Sequence, residues 1–169
     1  MKNIGVIGLG DMGSGIALNL IKNGFKVFGS DLLPARQQAF KDMGGSLGIS
    51  IADIGKKCDA VFVMVMNGSQ AKSIIFDEDG LARNMEAGST VILSATIKPS
   101  EAEEIGHLIK DTGLQFIDTP VSGGFPGAQS GTLTLMASAS EDVMNKNRDV
   151  LEAISCLLYT SPSPRDGTK

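Results

Sequence analysis

The feature that most constrains this chain is a glycine-rich junction near its start. Ile4-Gly-Val-Ile-Gly8 is a short apolar run rich in branched residues, which reads as a buried strand. It passes directly into Gly8-Leu9-Gly10-Asp11-Met12-Gly13. From Met12 the hydrophobic period becomes helical. Met12, Ile16 and Leu20 fall on one stripe with Ala17 and Ile21 beside it, Ser14, Asn19 and Lys22 lie toward the other side, and Gly24 stands where a terminal cap belongs. A strand entering a helix through GxGxxG is the arrangement a dinucleotide needs. Gly8 allows the tight turn, Gly10 leaves bare backbone for a pyrophosphate, and Gly13 lets the helix pack close to the strand, while the first helical N–H groups face the phosphate. Asp31 follows the next strand, Lys26 to Ser30, and stands 23 residues after Gly8. A carboxylate there accepts both ribose hydroxyls and repels a 2′-phosphate, which favours NAD over NADP. Arg36 has the opposite charge and reads as part of a solvated helix face.

The rest of the chain continues the alternation. Pro34 to about Met43 reads as a helix, Ala60 to Met66 as a fully apolar strand, and Gly68 to Ile75 as a helix. Thr90 to Ser94 is a strand, Pro99 to Asp111 a helix, Phe116-Ile117 and Leu133 to Ala137 strands, and Asp142 to about Ile154 a last helix. This order implies right-handed crossovers and a mostly parallel, doubly wound α/β sheet of the Rossmann type. At 169 residues the length suits one domain, and 42% hydrophobic with 20% charged residues excludes wholesale disorder. The net charge of −4 argues against nucleic acid or an anionic membrane as partner, and the longest apolar run is too short to cross a bilayer. Cys58 and Cys156 make neither a disulfide framework nor a metal-ligand spacing, so no metal is expected and the setting reads as cytoplasmic.

A second glycine cluster lies at Asp118-Thr-Pro-Val-Ser-Gly-Gly124, followed by Gly127, Ser130 and Gly131. Ser122, Gly123 and Gly124 offer a hydroxyl and exposed backbone N–H groups, the equipment for holding a carboxylate, although a plain turn between two strands has the same composition. Three separated motifs now stand in order: GLGDMG with Asp31, Ser94-Ala-Thr-Ile-Lys-Pro99, and DTPVSGGFPGAQSGTLTLMAS. Together they resemble the β-hydroxyacid dehydrogenases, the family that includes 3-hydroxyisobutyrate dehydrogenase, over about Met1 to Ser155. VMVMNGSQ and the SAT at Ser94 to Thr96 are most similar to its L-threonate dehydrogenase branch.

The resemblance implies a role for each matching position. Gly8, Leu9, Gly10, Asp11, Met12, Gly13 and Asp31 fall in the cofactor fingerprint. Val65 and Met66 match positions lining the adenine-ribose and nicotinamide side, and Thr96 matches a residue near the nicotinamide. Ser122, Gly123 and Gly124 match the loop that holds the substrate carboxylate. The family's catalytic lysine comes from a following all-helical domain that also carries its homo-oligomer contacts. No residue here matches that lysine, so no catalytic residue is assigned in this chain. The implied activity is NAD-dependent oxidation of the CH–OH group of a small hydroxyacid. A non-catalytic dinucleotide-binding domain, or a tartronate semialdehyde or imine-type reductase of the same fold, are the alternatives. His107, among Glu103, Glu104 and Lys110, reads as a surface residue, Lys98 as a helix-entry charge, and Cys58 as inert packing. Met64 and Met66 read as core, with ligand contact open at Met66.

The character changes after Ser155. Cys156 to Asp166 reads CLLYTSPSPRD, with two prolines that cannot extend a helix. The run resembles one translated frame of a transposase-type sequencing adapter. Residues 1–155 are therefore expected to be the native dinucleotide-binding domain and 156–169 a tail of foreign origin.

Overall fold

The structure is a computed structural model that describes residues 2–94 and 97–161. Its first half runs β1 (Asn3–Ile7), α1 (Asp11–Lys22), β2 (Lys26–Ser30), α2 (Pro34–Asp42), β3 (Ser46–Leu47), α3 (Ile51–Lys57) and β4 (Ala60–Val63). Next come α4 (Gly68–Phe76), α5 (Leu81–Asn84), β5 (Thr90–Leu93), α6 (Pro99–Lys110) and β6 (Gln115–Asp118). The chain then forms β7 (Val121–Ser122), α7 (Gly124–Ser130), β8 (Leu133–Ser138), α8 (Glu141–Ala153) and β9 (Ser155–Ser161). The strands lie in the order β3-β2-β1-β4-β5-β6-β8-β7, with β9 added along β8. Every pairing from β3 through β6 is parallel, and β8 runs antiparallel to β6 and β7. This is the doubly wound α/β sheet that the strand–helix alternation predicts.

Side-chain alternation divides the core into two layers. Ile4, Val6, Phe62 and Ile92 face one cluster, with Ile16 and Leu20 of α1, Phe40 of α2 and Val150 and Leu151 of α8. Ile7, Val61, Val63, Val91 and Leu93 face the other, with Ile54 of α3, Ile75 of α4, Leu81 of α5 and Ile105 of α6. The central strands are apolar at consecutive positions because helices cover both of their faces.

The Ala60 strand is shorter than expected. It ends at Val63, and Met66 is 84% exposed, so the core reading of Met66 is corrected. The ladder stops because its neighbour turns away: Gly8 leaves β1 against the Met64 carbonyl, so closely that a Cβ there would collide with it. Asn19 is corrected too. It is 6% exposed and buried between α1 and α7. Beyond Ser155 the chain continues as β9, with Leu157 and Tyr159 among its exposed side chains.

Candidate functional site

The reversal in strand order falls between β1 and β4, and the glycine turn opens at their carboxyl ends. Open parallel sheets form ligand crevices at such a point because neighbouring connections leave to opposite faces. Gly8 has φ of +97°, and its N–H donates to the Ser30 carbonyl at 2.9 Å. A Cβ on Gly13 would strike the Gly8 carbonyl oxygen, so strand and helix meet backbone to backbone. Gly10 is the N-cap of α1 and brings no side-chain hydrogen bond, which leaves the helix's amino end to an outside acceptor. Bare glycine backbone below and an uncapped helix end in front fit a pyrophosphate. Within the same turn the Leu9 side chain is core, Met12 is half-buried and Asp11 is exposed.

Asp31 meets the turn directly. Its Oδ2 accepts from the Leu9 N–H at 2.7 Å and its Oδ1 from the Leu33 N–H at 2.9 Å. The carboxylate therefore joins the end of β2 to the glycine turn, at the end of the crevice where a ribose would lie. Arg36 is not simply a solvated residue. Its Nη1 stands 3.6 Å from Asp31 Oδ2, and its guanidinium lies over Gly10. Val65 and Met66 follow β4 at the mouth of the crevice, half-buried and exposed respectively. Thr96 lies outside the described residues.

The second glycine cluster is more than a turn between strands. Val121 and Ser122 pair with β8, and Gly123 and Gly124 then adopt φ of +128° and +59°, a left-handed bend that favours glycine. That bend starts α7 and leaves Ser122, Gly123 and Gly124 exposed. The far end of α7 is clamped to the helix that leaves the first glycine turn. Gly15 of α1 sits under Ala128, so close that an added Cβ would stand 2.7 Å from the alanine methyl. Asn19 Nδ2 donates to the carbonyls of Gly15 (2.9 Å), Ala128 (2.7 Å) and Gln129 (3.0 Å). The two glycine loops are thus held by one rigid contact. Sequence reasoning missed Asn19, whose burial has no local signal, and undervalued Arg36.

Asp118, at the end of β6, has its carboxyl raised above the ordinary value by burial. Ser94 and Thr119 bury hydroxyls that lack partners among the described residues. Cys58 is buried, and burial, followed by the charges of Asp59 and Asp53, pushes its thiol up to about 12. That makes it inert. His107 is exposed on α6, and Lys98 precedes that helix with its N–H donating to Glu101 Oε1 at 3.2 Å. Among the described residues no group of three His, Cys, Asp or Glu side chains is placed to hold a metal, and no helix is long and apolar enough to cross a membrane.

A doubly wound sheet with an uncapped glycine turn at its switch point and an acid closing β2 defines a dinucleotide-binding domain. Residues 3–161 match the family described as the NAD binding domain of 6-phosphogluconate dehydrogenase, and the chain belongs to that family. It is 42% identical over 158 residues to L-threonate dehydrogenase of Cupriavidus necator, covering 94% of this chain and 53% of that protein. It is 34% identical over 151 residues to the mitochondrial 3-hydroxyisobutyrate dehydrogenase of Mus musculus, covering 89% of this chain and 45% of that protein. The crystal structure of 3-hydroxyisobutyrate dehydrogenase from Salmonella typhimurium superposes with a TM-score of 0.90 at 32% identity, covering 96% of this chain and 57% of that one. The chain thus spans about half the length of the relatives it matches.

Proposed function

We propose that this chain is the cofactor-binding portion of an NAD-dependent oxidoreductase that acts on the CH–OH group of a small hydroxyacid, of the L-threonate or 3-hydroxyisobutyrate kind. The observation that carries the reading is the clamp of Asn19 and Gly15 on α7, which ties the loop at Ser122 to the helix of the glycine turn. A cofactor and a carboxylate would then be held at a fixed separation, the first requirement for hydride transfer. The names of the relatives supply the substrate class.

Each residue's part follows from its place. Gly8, Gly10 and Gly13 let a pyrophosphate reach the backbone at the amino end of α1, whose dipole favours negative charge. Asp31 takes up ribose hydroxyls as acceptor, which favours NAD. Val65 and Met66 face the nicotinamide side of the groove in this reading, and the family resemblance gives Thr96 a part near the nicotinamide. The bound nicotinamide supplies the hydride acceptor. The Ser122 hydroxyl and the Gly123 and Gly124 N–H groups hold the substrate carboxylate, orienting its carbinol carbon. A lysine outside this chain takes the alcohol proton, in a helical segment that also joins subunits. The enzyme works in the cytoplasm.

Residues 1–155 form the native domain in this reading, and 156–169 are translated adapter. The exposure of β9 supports this: its burial does not alternate as it does in a strand with one face on a core. Reading the gene from source DNA past the Ser155 codon tests the boundary and provides the full frame. The full-length product, screened against hydroxyacids with NAD and NADP, should reduce NAD with L-threonate or 3-hydroxyisobutyrate. Inactivity across the whole screen would overturn the proposal.

A further inference from the structure

We infer that β9 is an edge through which two copies of this chain pair, antiparallel about a two-fold axis at Tyr159, into one continuous sheet. β9 lies along β8, and among the described residues no strand covers its other side. One hydrogen bond fixes the direction of its backbone groups. The Ala139 N–H donates to the Ser161 carbonyl at 3.1 Å, so the backbone of Ser161 faces β8. Backbone groups alternate along an extended strand, which turns the N–H and C=O of Leu158 and Thr160 outward.

No device guards that edge. Sheets protect their edges with charges, prolines, bulges or very short strands. The opposite edge, β3, has two residues. β9 has seven, and its sequence SCLLYTS contains neither charge nor proline. The register shift against β8 falls at Leu133/Thr134, so Leu157 to Ser161 pair regularly. Beside the open edge, Leu157 is 50% exposed, Tyr159 60%, and Met136, the neighbour of Tyr159 on β8, 51%. A second copy is the occupant that fits. Rotation about Tyr159 sets Leu158 opposite Thr160 of the other copy, and each such pair exchanges both of its outward hydrogen bonds. It sets Tyr159 against its twin in the closer kind of pair, where aromatic side chains add stability, and an uncharged strand does not repel itself. The pairing is a property of the 169-residue chain, whatever the origin of residues 156–169.

Sedimentation of the 169-residue chain across a concentration series tests this, in reductant so that exposed Cys156 forms no cross-link. The mass should rise from that of one chain to that of two. Thr160→Pro removes an outward N–H while sparing the bonds to β8, and should weaken association at least about tenfold. Tyr159→Lys and Tyr159→Glu set like charges against each other, so each alone should stay monomeric and an equal mixture of the two should dimerise. That mixture decides the matter if Thr160→Pro fails to fold, which its amide spectrum reports. Met136→Ser, on the sheet face but off the edge, should leave association within about twofold of the parent. A parent chain that stays monomeric up to roughly 1 mM would overturn the inference. So would association lost in Met136→Ser and kept in Thr160→Pro, because the copies would then stack face to face.

Discussion

Asn19 occupies the middle of a helix, where a side chain that competes for backbone hydrogen bonds is ordinarily poorly placed. Here it donates to two carbonyls of α7 as well as to Gly15 of its own helix. Asn19→Leu removes the side-chain donor from the Ala128 and Gln129 carbonyls of α7, so a loss of about 1–3 kcal/mol is expected from chemical denaturation. Cys58 makes a different point at the same scale. Its thiol rises from an ordinary value of 9.0 to about 12. The folded state thus holds its proton where the unfolded chain has released it. The stabilisation is fully present below 9.0 and is lost as pH rises toward 12, a window that Cys58→Ala should flatten in melts across alkaline pH. At about pH 8 a thiol reagent should modify Cys156 and spare Cys58 until the protein is denatured.

At the scale of elements, the parts with strong periodicity were legible and those defined by tertiary contact were not. α1 and α6 start and stop within a residue or so of where their apolar stripes, prolines and terminal charges place them. β3 has only two residues, and α3 starts with Ser50 accepting from the Asp53 N–H, a signal too brief to stand out between glycines. α7 reads as turn because Gly124, Pro126 and Gly127 are poor helix formers, and it persists because Ala128 packs on Gly15. Met66 was misplaced because an apolar run carries no mark of where the neighbouring strand turns away. The Gly15–Ala128 contact is the close approach that joins α1 to α7. Gly15→Leu should push α7 off α1 and cost about 1–3 kcal/mol through overpacking. Amide hydrogen exchange should rise across Gly123 to Gly131 while the centres of β4 and β5 remain protected. Equal deprotection of those strands would show that α7 is not a separable unit.

At the scale of the whole molecule, the proposed function assigns cofactor binding to this chain and proton transfer to a residue outside it. The strand order brings the glycine turn, Asp31 and the end of β4 together within this chain, so the means of holding a dinucleotide are local to it. The chain covers only about half of its relatives, and no lysine here matches the proton-transferring position that the family resemblance requires. Binding and turnover should therefore separate. The 169-residue chain should shift the amide signals of Leu9, Gly10 and Gly13 on addition of NAD, saturably and with weak affinity. It should produce no NADH from L-threonate or 3-hydroxyisobutyrate, since orientation without a proton acceptor leaves the alcohol protonated. Saturable NADH formation by the chain alone would place the base within these residues and return Lys98 to consideration.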